Sequence, residues 1–207
     1  MPNRQVLQPH AATTMTHLHC TDLTAERLPD YLKFFDSRAF SDNPRWAGCY
    51  CYFPLHDPEK TDWQQRTAAE NRAAVCACVA TGQARGVLAY AGEEVVGWCS
   101  AGPWSQFPML SEYPEQDTAT LGVIFCFVVA PELRGTGVAA SLLSAACDSL
   151  HRQGMTVAQA KPVKGAEGSA ANHLGPLSMY LKAGFEVVRE TADGDVFVRR
   201  TLAQPLA

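Results

Sequence analysis

Short apolar runs and stretches of helical period alternate along this chain, and their order predicts a mixed α/β sheet. Residues 1–15 are polar and without period, a flexible N-terminal tail, and residues 16–20 have the length of a first edge strand. In 24–36, Leu28, Tyr31, Leu32 and Phe35 fall on one helical face, with Pro29 in the first turn, where its missing N–H costs little. Residues 41–60 mix aromatics, prolines and cysteines without helical period, which predicts an ordered loop with a short extended piece at 49–53. Thr61-Asp62-Trp63-Gln64 has the spacing of a capping box, so a helix is expected from there to about residue 80, stopped by Gly82. Two apolar runs, 86–91 and 95–100, flank Gly92-Glu93-Glu94 as a hairpin, and the proline-rich stretch 103–117 reads as a loop.

Residues 122–130 are nearly all apolar, the mark of a strand buried on both faces, and Pro131 ends it. A helix follows over 137–152, with Ala139, Leu142, Leu143, Ala146 and Leu150 on one face and Gly154 as its stop. After a strand at 156–160 and a glycine- and alanine-rich loop at 161–172, Leu177, Tyr180 and Leu181 mark a short helix closed by Gly184. Segments 185–188 and 196–200 form a closing hairpin across Asp193-Gly194. No repeat or linker interrupts this order, so residues 16–207 read as one domain.

The composition, 47% hydrophobic and 18% charged over 207 residues, supplies one core that needs no disulfide. A net charge of −4 speaks against nucleic acid as a partner, since such domains carry a basic surface. No apolar run approaches the roughly 18 residues of a membrane span, and the start lacks the basic-then-apolar order of a secretory signal. A cytoplasmic location is therefore expected. There, thiols stay free, and Cys99, Cys126 and Cys147 sit in apolar stretches as small hydrophobes. The one-residue spacing in Cys49-Tyr50-Cys51 and Cys76-Ala77-Cys78 is too tight for structural zinc, so no metal is expected.

Chemistry concentrates where the 122–130 strand passes through Pro131-Glu132-Leu133-Arg134-Gly135-Thr136-Gly137 into a helix. Glycines let backbone approach a ligand, and the unpaired first N–H groups and dipole of a helix favour an anion, phosphate above all. Gly135-Thr136-Gly137-Val138-Ala139-Ala140 also fits the dinucleotide fingerprint. Against it, Pro131 to Arg134 separate the strand from the first glycine, and the strand Val157-Ala158-Gln159-Ala160 ends without a carboxylate for a ribose. No Gly-Lys-Ser/Thr follows, which excludes a P-loop. A glycine-rich turn without any ligand is the plain alternative.

Arg134-Gly135-Thr136-Gly137-Val138-Ala139 resembles the R/Q-x-x-G-x-G/A signature of the GNAT superfamily of N-acetyltransferases, and Tyr180-Leu181-Lys182-Ala183-Gly184-Phe185 is similar to its Y-x-x-x-G-F segment. The resemblance implies a GNAT fold: a mixed, mostly antiparallel, splayed sheet of six or seven strands flanked by about four helices. It implies acetyl-CoA as co-substrate, its pyrophosphate on Arg134, Gly135, Thr136, Gly137, Val138 and Ala139. The pantetheine arm would lie along Phe127, Val128 and Val129, with an oxyanion contact from a strand N–H near Val128, and Asn172 would touch the arm. The guanidinium of Arg134 either adds charge beside a phosphate or caps the turn. Tyr180 takes the place of a general acid for the departing thiolate; a phenol, with a pKa near ~10, serves there mainly by a well-placed hydrogen bond. The alternative for Tyr180 is a ring packed in the core.

The implied reaction is acetyl transfer to a primary amine of a small molecule, or of a peptide, by direct attack in a ternary complex; a homodimer is compatible with it. A non-catalytic acyl-CoA sensor of the same fold is the competing reading. The strand 122–129 lacks the glutamate that relatives acetylating lysine often carry there, so a water chain, a substrate amine that arrives deprotonated, or a group from the 41–60 or 103–117 loop must serve, with His56, Asp57, Glu112 and Tyr113 as the loop candidates. The resemblance puts the acceptor between 34–53 and 98–113, rich in aromatics: Trp46, Tyr50, Tyr52, Phe53, Trp104, Phe107 and Tyr113. These loops either wall a pocket or pack on each other as a lid. Neither carries a dense acidic patch, which disfavours a highly cationic acceptor.

Overall fold

The structure, a computed structural model, describes residues 18–164 and 172–202. The expected tail at 1–15 and most of the loop at 161–172 lie outside the described residues. Strands β1 (Leu18–Asp22), β2 (Gly86–Ala91), β3 (Glu94–Pro103), β4 (Leu121–Val129), β5 (Val157–Ala160), β6 (Glu186–Glu190) and β7 (Val196–Thr201) form one seven-stranded sheet, in the order β1-β2-β3-β4-β5-β7-β6. Every neighbouring pair is antiparallel except β4 and β5. Helices α1 (Leu28–Ser37), α2 (Pro44–Ala47), α3 (Ala68–Ala80), α4 (Val138–Arg152) and α5 (Leu177–Lys182) flank it.

A parallel pair needs a crossover, and α4 provides it. Val138, Leu142, Leu143, Ala146 and Leu150 are buried against the sheet, as their helical spacing predicts. The helix lies so close that a Cβ on Gly122 would come within 2.7 Å of Leu150, and one on Gly97 within 3.0 Å of Leu142. Each burying contact of this kind is worth roughly 2 kcal/mol for a full leucine side chain.

Strand β4 is irregular along both of its edges. It pairs with β5 only from Leu121↔Val157 to Ile124↔Ala160, then runs on to Val129 while β5 ends. The two strands therefore part, and β4 is left with a stretch of edge facing a gap. On its other side the register with β3 slips: Ser100 faces Cys126, but Ala101 faces Ile124, so Phe125 is an extra residue, a bulge. Bulges bend a strand and re-aim its side chains.

The structure differs from expectation in the stretch before β2. The helix begins at Ala68, not at Thr61. Thr67 and Glu70 form the capping box, with Glu70 N donating to Thr67 Oγ1 at 3.2 Å and Thr67 N to Glu70 Oε2 at 2.7 Å. The Thr61 hydroxyl is instead 2.7 Å from His56 Nε2, and 63–65 form a 3-10 turn capped by Asp62. The expected extended piece at 49–53 is also absent: Tyr50 and Cys51 take left-handed φ of 47° and 48° and turn the chain inward, burying Cys51. Among the described residues, no helix is long and apolar enough to cross a membrane.

Candidate active site

Past Val129 the chain makes a 3-10 turn at Pro131–Leu133 and reaches the two glycines. Gly135 and Gly137 have φ of 77° and 97°, a backbone that glycine adopts without strain, and a Cβ on either would meet nothing within 4 Å. Their N–H groups find no hydrogen-bond acceptor among the described residues. No acidic side chain lies in the first turn of α4 to offset the positive end of its dipole. This entrance opens on a cavity of about 380 Å³ lined by Phe127, Val129, Arg134, Gly135, Gly137, Val138, Ala139 and Asn172.

Two of the residues expected with them do not line it. Thr136 is exposed and its hydroxyl donates to the Leu133 carbonyl at 2.7 Å. Val128 turns to the opposite face of the sheet. The guanidinium of Arg134 lines the cavity but also donates to the Val129 carbonyl at 3.2 Å and pairs with Asp42. It fastens the turn to the segment after α1. A second pair, Arg38 to Glu132, does the same.

The gap beyond β5 is crossed by residues 172–175. Phe127 N–H donates to the His173 carbonyl at 2.6 Å, and Tyr180 Oη–H donates to the Leu174 carbonyl at 3.0 Å. The Tyr180 ring is fully buried, edge-on to Phe127 and Phe185 at 6.3 and 5.2 Å. Burial pushes its phenol well above its ordinary range, so it stays protonated. Gly175 lies directly over it, since a Cβ there would be 3.0 Å from the ring. Alternation along β4 also decides which amides face the gap. Ala130 N–H donates to Val96 of β3 at 2.9 Å, so Val128 N–H points the same way and Phe127 N–H points to the gap. Of the amides near Val128, that of Phe127 is therefore the one that faces the gap.

On the other face of β4 lies a larger cavity, about 570 Å³. Phe125, Cys126 and Val128 form its floor, Trp46, Phe53 and Trp63 its walls, and Arg45, Arg66 and His173 its polar lining. The imidazole of His173 sits edge-on to Trp46 at 5.2 Å. Cys51 Sγ lies 3.2 Å from Cys126 Sγ. Burial pushes the Cys49 thiol up to about 11, and the hydrogen bond with Cys126, together with burial, pushes Cys51 well up. These are inert thiols rather than nucleophiles.

The loop bases expected from sequence stand elsewhere. His56 is buried against Thr61 and Trp63, Asp57 is paired with Lys60 at 2.7 Å, and Tyr113 packs under Lys161; none lines this cavity. The side chain of Glu112 is outside the described residues. Of the two aromatic loops, the first supplies walls. In the second, Phe107 stacks beneath Phe125 and Trp104 does not reach the cavity. Sequence reasoning missed His173, Arg45, Arg66 and Trp63. Only the aromatic density of 41–60 hinted at the first wall; Arg66 and His173 carry no local pattern. Among the described residues no group of His, Cys, Asp and Glu is arranged to hold a metal.

The acetyltransferase (GNAT) family model matches residues 34–185. No curated protein matches the sequence. Among solved structures, an N-acetyltransferase from Staphylococcus aureus Mu50 has a TM-score of 0.55 at 14% identity, covering 90% of this chain and 99% of its own. A GCN5-related N-acetyltransferase from Kribbella flavida has a TM-score of 0.54 at 19% identity, covering 89% and 98%. The PaiA N-acetyltransferase from Thermoplasma acidophilum, in complex with coenzyme A, has a TM-score of 0.53 at 14% identity, covering 89% and 99%. At these identities the likeness is one of fold.

Proposed function

The chain belongs to the acetyltransferase (GNAT) family, and we propose that it transfers an acetyl group from acetyl-CoA to a primary amine of a small molecule by direct attack. One observation carries the reading: the glycine entrance and the aromatic cavity lie on opposite faces of β4 and meet at the stretch of edge that β5 leaves uncovered. An extended ligand can pair with such an edge. A coenzyme A complex of a protein of this fold supports the assignment of the donor.

In this reading the amides of Gly135, Gly137, Val138 and Ala139 hold the pyrophosphate, aided by the α4 dipole, while the Thr136 amide donates to the Leu133 carbonyl at 3.4 Å. Asn172 and the edge from Phe127 to Val129 guide the arm to the gap. Phe127 N–H exchanges the His173 carbonyl for the acyl carbonyl and stabilises the oxyanion as the amine adds. Positioning of the two reactants supplies most of the remaining acceleration.

Proton transfer falls to two residues. The charged or titratable groups lining the acceptor cavity are two arginines, three cysteines and His173. Arginine keeps its proton and the thiols of Cys49 and Cys51 keep theirs. Of the remaining two, the Cys126 thiol shares its hydrogen bond with Cys51, and we take the imidazole of His173 as the base that receives the proton of the attacking amine. Tyr180, released from Leu174 when the 172–175 segment gives way, hydrogen-bonds the departing thiolate and passes its proton to it, and regains a proton from the one that His173 took from the amine, by way of solvent. Thus the C–N bond forms, the C–S bond breaks, and coenzyme A leaves as a thiol.

The test is thiol release from acetyl-CoA with a panel of small primary amines, repeated with His173→Gln. Turnover should appear with some amine and fall about 100-fold in the variant, mainly in kcat, with the acidic limb of the pH profile lost. Tight coenzyme A binding without thiol release on any amine would instead favour a sensor.

A further inference from the structure

The acceptor cavity is positively charged and has no carboxylate in its lining. Its two charged side chains are both guanidinium groups, Arg66 in the wall and Arg45 on α2 at the exposed rim. Elsewhere in the molecule Arg38, Arg72, Arg134, Arg152, Arg189 and Arg199 each hold a carboxylate, while Arg27 and Arg85 bond neutral oxygens. Among the described residues, Arg45 and Arg66 form no ion pair.

Arg66 is also held in place. Its Nε donates to Asn71 Oδ1 at 2.7 Å, and its guanidinium carbon lies 4.8 Å over the Tyr52 ring. Asn71, buried, is fixed in turn by donating to the Gly48 carbonyl at 2.9 Å. One edge and one face of the guanidinium are thus occupied, while its two terminal nitrogens have no hydrogen-bond acceptor among the described residues. Glu70, a carboxylate within electrostatic reach, gives one oxygen to the Thr67 N–H and hydroxyl at 2.7 and 2.8 Å. A braced fork with free donors is the arrangement that receives a planar oxyanion in bidentate fashion.

We infer that the acceptor is a primary amine carrying its own oxyanion on a small apolar body, an α-amino acid with an aliphatic or aromatic side chain being the simplest case. Arg66 receives the anion with Arg45 at the rim, Trp46, Phe53 and Trp63 enclose the apolar part, and the amine points to β4. A purely cationic amine would meet two like charges and no carboxylate in the lining. This deepens the acetyltransferase reading by naming the class of its acceptor and rests on that reading for the role of the amine.

Trp46 and Trp63 line the cavity, so tryptophan fluorescence reads its occupancy without turnover. The full chain, saturated with coenzyme A, is titrated with L-leucine and L-phenylalanine and with their amides, which differ only in the carboxylate. The acids should bind about tenfold or more tightly than the amides, the order expected of charge-assisted hydrogen bonds. Arg66→Gln should erase that preference with coenzyme A affinity unchanged. Arg45→Gln, at an exposed position, should reduce it and is the second variant should loss of the Asn71 bond loosen the Arg66 loop. Equal binding of acids and amides, no binding of either, or a preference that survives both substitutions overturns the inference. Acetylation is read separately. Acid-selective binding without any acetyl transfer keeps this inference and sinks the catalytic reading; equal acetylation of acids and amides does the reverse.

Discussion

Phe127 N–H and the His173 carbonyl form a 2.6 Å hydrogen bond across the gap that β5 leaves beside β4. In the proposed reading the chain thereby fills, with a carbonyl of its own, the place of the acyl carbonyl. Binding of acetyl-CoA should break this bond. In amide-resolved NMR, the signals of Phe127 and of residues 173–175 should shift on saturation with acetyl-CoA, along with those of Gly135 and Gly137. A response confined to the glycine turn would refute the exchange.

Gly137→Asp puts a side chain and a negative charge into the open space over the α4 entrance. Coenzyme A affinity should fall about 100-fold, the scale of losing one charge-assisted hydrogen bond and adding a like charge. Gly137→Ala keeps the space neutral and carries only the cost of φ at 97°, roughly 1–2 kcal/mol of stability. It should retain most of the affinity measured by calorimetry. Equal losses in both variants would mean that backbone shape, not phosphate contact, is what the glycine serves.

Tyr180→Phe removes the 3.0 Å bond to Leu174 and leaves the ring packing intact. Stability should drop by about 1 kcal/mol, and kcat should fall by about 10- to 100-fold with little change in the KM for acetyl-CoA. A kcat equal to that of the parent would leave Tyr180 as a brace of the core.

The Cys49 thiol, pushed up to about 11 by burial, is roughly 0.1% thiolate at pH 8. A raised thiol value means the reactive form appears only as pH climbs toward it. No acetyl-enzyme should therefore accumulate when acetyl-CoA is supplied without an amine, as intact-mass measurement would reveal, and initial-rate plots should intersect. Parallel plots with a mass increment on a cysteine would replace direct attack by a covalent route.

The start of α3 shows how far local pattern carries. Thr61 and Gln64 have capping-box spacing, yet Thr61 is drawn to His56, a contact that only the folded loop creates. Thr67 and Glu70, six residues on, have the same spacing and the better helix formers between them. Thr67→Ala should lower stability by about 1 kcal/mol in chemical denaturation, whereas Thr61→Ala should leave α3 helicity unchanged.

Elsewhere the division runs along the same line. The strand–turn–helix around Gly135 and Gly137 was legible because each step is local: apolar run, proline stop, glycines at positive φ, amphipathic α4. Period alone also gave the β2–β3 hairpin and the β6–β7 hairpin. The acceptor cavity was not legible in that way. Arg45, Arg66, Cys126 and His173 come from four separate stretches and meet only because Tyr50 and Cys51 turn the loop inward and β4 bulges at Phe125. The direction of the Val128 amide likewise depends on register with β3, which no single segment encodes.

The pairs Arg134–Asp42 and Arg38–Glu132 join positions more than ninety residues apart in sequence, and they tie the glycine turn, whose Arg134 lines one cavity, to the segment after α1, whose Phe40 lines the other. Donor and acceptor sides are hence one mechanical unit. A loop transplanted from a relative without a carboxylate at position 42 would remove that pair from Arg134, which lines the cavity at the α4 entrance, and in the proposed reading would alter the grip on coenzyme A. Re-tailoring what this protein acetylates therefore means redesigning, at the same time, how it holds what it acetylates with.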